Sequence, residues 1–229
     1  MLINDHYFYL KIDESEEPMH ASSPDDFIYT LTGRVVAGDP SDEEITVGRF
    51  RAYYVDVNAA ISFGKVSLYD IFDTYQETVD YYEAIYDIDS EDVNEKLLKA
   101  LKSEYLFGNV LIIDRLEILP AFRSYNLGLI TMRRIIQRFG TGACVTAIKP
   151  FPLQFESNTR HDDDGWTEQL ALPELNKNSR SATARLKKHY KKLGFVSLPG
   201  TPFMFLELEK NLISVDDLLI NNDAELVVD

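Results

Sequence analysis

The run Arg123-Ser124-Tyr125-Asn126-Leu127-Gly128 sets a guanidinium and a glycine immediately before an amphipathic stretch, and that combination suits phosphate. Leu129, Met132, Ile136 and Phe139 recur at helical spacing, with Arg133, Arg134 and Arg138 in the intervals. The spacing predicts a helix starting near Leu127. Its first turn leaves backbone N–H groups without partners, and the helix dipole favours negative charge there. Gly128 removes the side chain that would keep a pyrophosphate at a distance.

The elements that must position this loop can be read on both sides of it. Val110 to Ile113 is a short apolar run continued with alternation by Leu116 and Ile118, as suits a largely buried strand. Far downstream lies Arg185-Leu-Lys-Lys-His-Tyr190-Lys-Lys-Leu-Gly194-Phe195, in which Leu186, Tyr190 and Leu193 share one helical face. Gly194 stands where a left-handed cap belongs, and Phe195 can fold back on the last turn.

Together, these segments resemble the GNAT superfamily of acetyl-CoA-dependent N-acetyltransferases over about residues 109–209. That family's loop is commonly Arg/Gln-x-x-Gly-x-Gly/Ala, matched at Arg123 and Gly128, and its later helix typically ends Tyr-x-x-x-Gly-Phe, matched at Tyr190, Gly194 and Phe195. Asn126 replaces the first glycine, and Asn is the next residue most willing to take a left-handed conformation. Gly128 and Tyr190 stand 62 positions apart, more than the compact family spacing, so the stretch from about Pro150 to Ser179 reads as an insertion. Residues before Asn109 match no family pattern.

The resemblance implies an α/β (α+β) fold with a mixed, mostly antiparallel sheet flanked by helices. It also implies acetyl-CoA in a cleft between two splayed strands, with pantetheine against the backbone of Leu116 to Leu119, hence Ile118 and Leu119. Arg123 and the amides of Ser124, Tyr125, Asn126, Leu127, Gly128 and Leu129 would hold the pyrophosphate. Tyr190 matches the usual acid, whose phenol can protonate the departing sulfur. A base must also take a proton from the acceptor, and Glu117, a carboxylate on the motif strand, is the first candidate; alternation alone lets it point either way.

Composition bounds the alternatives. With 229 residues, 45% hydrophobic, and a mean hydropathy of −0.20, the chain can bury a full core as one elaborated domain. Its single cysteine, Cys144, sits in an apolar run, which leaves no internal disulfide and fits a reducing cytoplasm. The start has no basic region before an apolar core, and no later run approaches membrane length. Net charge is −15, but residues 115–192 hold 14 of the 23 Lys and Arg and 7 of the 38 Asp and Glu. That stretch carries +7 and the remainder −22. A basic half suits a phosphate-bearing ligand and an acidic half a cationic amine acceptor, whether a small molecule or a basic protein group. General nucleic-acid binding is disfavoured by the repulsive field.

Along the chain, residues 27–36 and 45–61 read as strands, 66–86 as one long helix, and Ser90 as the cap of another carrying Val93, Leu97 and Leu101. A strand over 110–119, the helix to Phe139, a strand over 143–148, a helix to Leu193 and a strand over 203–208 follow, then an acidic tail over 210–229. His161-Asp-Asp-Asp164 lacks a second histidine at ligand spacing and reads as a solvated loop, so no metal is expected. Asp70, Asp73, Glu77, Asp80 and Asp87 form an acidic stripe that reads as solvated surface or an acceptor entrance. The leading expectation is a cytoplasmic N-acetyltransferase using acetyl-CoA on a primary amine. A non-catalytic acyl-CoA sensor and an acidic interaction domain are the alternatives, and homodimerisation stays open.

Overall fold

A computed structural model describes residues 2–3, 6–13, 21–38, 44–156, 165–175, 177–208 and 212–218. Among the described residues, eight strands form one sheet in the order β1-β2-β3-β4-β5-β6-β8-β7. These are β1 (Leu2–Ile3), β2 (His6–Ile12), β3 (Ile28–Ala37), β4 (Ile45–Val55), β5 (Asn109–Ile118), β6 (Ala143–Ile148), β7 (Val196–Ser197) and β8 (Met204–Glu207). Every neighbouring pair is antiparallel except β5 and β6, which run parallel. The sheet is therefore mixed and mostly antiparallel.

Helices cover both faces. Between β4 and β5 come α1 (Val57–Phe63), α2 (Leu68–Phe72), α3 (Val79–Ile85) and α4 (Glu95–Leu101). Their buried residues Phe72, Tyr82, Ile85 and Leu97 pack with Tyr53, Val110 and Ile112 on one face. The other face carries Leu129, Met132 and Ile136 of α5 (Leu127–Phe139), packed on Leu111, Ile113 and Leu206. Alternation along β5 sends neighbouring residues to opposite cores, which is why Val110 to Ile113 is apolar without a break. After β6 come the short α6 (Trp166–Gln169) and α7 (Ser179–Lys191).

Several sequence expectations need correction. The strand expected to Ile61 ends at Val55, because Asp56 turns the chain and caps α1 by accepting the Ala59 N–H at 3.0 Å. The long helix over 66–86 is broken into α2 and α3, where the Thr78 hydroxyl donates to the Phe72 carbonyl at 2.6 Å. Asn94, not Ser90, caps α4, and Val93 lies before it in a bridge with Tyr86. The strand β2 was not anticipated. Part of the expected tail is folded onto the core, with Leu218 fully buried among α5 residues. The acidic stripe is not all solvated: Glu77 is part-buried and pairs with Arg51, whereas Asp80 stays exposed beside Lys149. Among the described residues, no helix is long and apolar enough to cross a membrane.

Candidate functional site

The site forms where two strands part. Pairing between β5 and β6 runs from Asn109↔Ala143 to Ile113↔Ile148 and stops, while β5 continues to Ile118 with β4 still alongside. Beyond Ile113 one edge of β5 is covered and the other has lost its partner strand. The Leu119 N–H donates to the Val47 carbonyl at 2.8 Å, which fixes the parity. By alternation the main-chain groups of Arg115 and Glu117 face β4, and those of Leu116 and Ile118 face the uncovered edge. The register also slips between Arg51 and Ala52, leaving Asp114 as the bulged residue at the point of parting.

A cleft of about 730 Å³ opens along that edge. Among the described residues, Arg123, Arg185, Lys188, Lys192 and His189 line it against one carboxylate, Glu117. Tyr190 is presented to it by α7. Asn178 caps that helix by accepting the Ser181 N–H at 2.9 Å. Gly194 takes φ +98°, a value glycine tolerates, and so turns Phe195 back under Tyr190 with ring centres 6.4 Å apart. Burial, with no hydrogen bond contributing, pushes the Tyr190 phenol up to about 12. It stays protonated through the physiological range.

Glu117 forms part of the wall between this cleft and a second hollow of about 420 Å³ on the other side, and it is 8% exposed. One carboxylate oxygen accepts the indole N–H of Trp166 at 2.7 Å and the other accepts from Arg115 Nε. Arg115 in turn makes a bidentate pair with Glu156 at 2.9 and 2.8 Å. Burial alone would lower the Arg115 guanidinium, but the hydrogen bonds it donates to Glu156 and Glu117 overcome it and hold the pKa above its ordinary value. Arg51 is likewise shared, donating to Asp114 and to Glu77 at 2.8 Å each. Desolvation nonetheless raises the Asp114 carboxyl, against the pull of Arg51. Tyr81, whose phenol is raised by burial and then by Asp114, takes a hydrogen bond from the Lys149 main chain nearby.

No relative was found. No family model, curated protein or solved structure matches the chain, so the reading rests on its own residues.

The residues singled out from the sequence are partly brought together. Tyr190, Glu117, Ile118 and Arg123 all line the large cleft. Arg123 there donates to the carbonyls of Ile118 (2.8 Å) and Leu170 (2.7 Å). Leu119 turns its N–H to β4. Leu127 and Leu129 are core residues, and Leu127 also lines a shallow depression between α5 and β2. Asn126 takes the left-handed conformation expected of it (φ +53°), and its side-chain amide donates to the Leu218 carbonyl at 2.8 Å. A Cβ at Gly128 would meet only Ile118 Cγ1, at 3.8 Å, so space for close approach exists. The Ser124 and Tyr125 side chains and the His161–Asp164 run lie outside what is described. Cys144 is half-buried, with Sγ 3.5 Å from the Asn109 carbonyl oxygen. No group of three metal-binding side chains occurs among the described residues.

Sequence reasoning missed Asp114, Arg115 and Trp166. Asp114 did carry a signal, an acid directly behind four apolar residues. Trp166, the chain's single tryptophan, lies within a polar stretch, where an expensive aromatic side chain implies something to cover.

Proposed function

We propose that the chain is an N-acetyltransferase moving an acetyl group from acetyl-CoA to a primary amine, built on a GNAT-like arrangement. The observation that carries this reading is the cation-lined cleft at the parting of β5 and β6, with a protonated phenol on one wall and a carboxylate in another. A thioester in that cleft lies along the uncovered backbone edge of Leu116 and Ile118, whose N–H groups can stabilise charge developing on the carbonyl oxygen. The amine nitrogen attacks that carbonyl, the carbon–sulfur bond breaks, and the thiolate takes the Tyr190 proton. Glu117 takes the proton lost by the amine, directly or through water. Both its oxygens already accept one hydrogen bond, and each keeps acceptor capacity for another.

A second reading, an acyl-CoA sensor without turnover, is favoured by one observation. Arg123 and Asn126 have hydrogen bonds committed within the protein, which leaves the loop fewer donors for a pyrophosphate. Acetyl-CoA titration followed by thiol release with an amine panel separates the two. A rise in melting temperature with thiol release supports transfer; a rise without release supports sensing; no rise removes both.

A further inference from the structure

The smaller hollow has a floor laid out by strand register. Across β3, β4 and β5, Arg34 faces Arg49 and Arg49 faces Glu117; in the neighbouring row, Thr32 faces Arg51 and Arg51 faces Arg115. All six line the same hollow of about 420 Å³. That volume lies within the roughly 300–1,000 Å³ usual for small-molecule sites. Like charges directly opposite one another destabilise a sheet, so each arginine pair needs an explanation. The Arg51–Arg115 pair has one in this protein: Asp114, Glu77, Glu117 and Glu156 all bind it. In the other row, the Arg34 side chain makes no hydrogen bond or ion pair with any described residue and is exposed at the hollow. Arg49 lies with its guanidinium 4.3 Å from the centre of the Trp166 ring, a stack that fixes its plane. One row is matched from within; in the other, Arg34 remains available to a ligand.

Adjacent strands lie about 4.8 Å apart, so Arg49 and Arg34 are roughly 5 and 10 Å from Glu117 along the row. Glu117 opens on the large cleft as well. A ligand with an amine at Glu117 and an anionic group at Arg34 would match that row and hold its nitrogen at the shared wall.

We infer that the small hollow is the acceptor chamber, and that the acceptor is an amine also bearing a carboxylate or phosphate. The inference rests on the transfer reading in calling this ligand the acceptor. It reverses the expectation of a purely cationic acceptor drawn from the −22 outside the basic stretch. That charge is shared among many side chains and screened beyond about 8–10 Å at ordinary salt, so it governs approach, whereas contact chemistry governs binding.

The test uses the full chain and three probe pairs: lysine against cadaverine, arginine against agmatine, and glucosamine 6-phosphate against glucosamine. Binding is followed by calorimetry, and transfer by thiol release from acetyl-CoA. In at least one pair the anionic member should bind tenfold or more tightly, and which pair responds distinguishes carboxylate from phosphate. Arg34→Ala should erase most of that preference and Arg34→Lys should keep part of it. Equal or tighter binding of the non-anionic members, an undiminished preference in Arg34→Ala, or no binding by any of the six overturns the inference. An Arg34-dependent preference without thiol release would leave the chamber standing and remove the transfer reading. In all three pairs, transfer to the non-anionic member as efficient as to its anionic partner would do the opposite.

Discussion

The two hollows that share Glu117 are built on different electrostatic plans. Among the described residues of the large cleft, four lysines and arginines and a histidine, most of them on α7, face one carboxylate, a surplus a polyanion could neutralise. In the small hollow, two of the four arginines are already held by four carboxylates, which stiffens the floor before a ligand arrives. The first plan favours attraction. The second favours position, because pre-formed hydrogen bonds cost nothing to organise at the moment of binding. A group transfer needs both, a cofactor that can be exchanged and an acceptor held to within a fraction of an ångström.

The comparison breaks most readily at Tyr190. Tyr190→Phe should lower turnover ~10²- to 10⁴-fold with acetyl-CoA affinity nearly intact, since only the proton donor is removed while the ring still packs on Phe195. Steady-state kinetics should show kcat and kcat/KM falling together. Wild-type turnover would reduce Tyr190 to packing.

Next comes Gly128→Asp. At a hundredfold excess over its dissociation constant a ligand stabilises the native state by about 2.7 kcal/mol, and this variant should lose that shift because its carboxylate repels the pyrophosphate. Gly128→Ala is the control, as its Cβ makes only an ordinary contact with Ile118. Equal acetyl-CoA shifts in the Asp variant and the parent would move the phosphate site elsewhere.

The two plans also predict a crossed result. Asp114→Ala should cost about 1.5–2 kcal/mol in urea denaturation, by stripping a charged hydrogen bond from Arg51. Arg185→Ala, at the exposed rim of the cleft, should leave the urea midpoint unchanged and weaken acetyl-CoA several-fold. If both variants behave alike, the difference between the hollows is not functional.

The smallest expected effect appears at high pH. Burial holds the phenols of Tyr53 and Tyr190 at about 12, against an ordinary value of 10. In the unfolded chain they ionise near 10 and release protons that the native state keeps. The stability they contribute is thus fully present below pH 10 and lost as pH rises from 10 towards 12. Urea midpoints at pH 8, 10 and 11 should decline, with a shallower decline in Tyr190→Phe. Parallel declines would mean that the phenol is not desolvated.

The elements that proved legible are those whose periodicity is set within one segment. The β5–α5–β6 run and α7 announce themselves because each has one dominant apolar pattern and a clear stop, such as Gly194. Strand β2 did not, since Tyr7 and Tyr9 alternate with Phe8 and Leu10, so both faces look apolar or aromatic. The break between α2 and α3 was hidden because Phe72, Tyr75 and Tyr82 keep helical spacing across it, while a side-chain hydrogen bond from Thr78 interrupts the backbone. For the site, Tyr190 could be named from its own helix. The parting of β5 from β6 was expected only through the family resemblance, because residue patterns do not show where two strands separated by α5 cease to pair. The Glu117–Trp166 bond, which spans 49 positions and decides which way Glu117 points, could not be read from them either.

The Asn126–Leu218 hydrogen bond spans 92 positions, and the Arg133 side chain reaches the Ile213 carbonyl across 80. During synthesis at about 5–20 residues per second, the loop before α5 therefore waits several seconds before the segment that steadies it has been made. A ribosome-bound chain halted between residues 208 and 217 carries Tyr190 and the whole sheet but an unanchored Asn126. Anchoring of the loop proposed to hold a phosphate would thus be among the last steps the nascent protein completes.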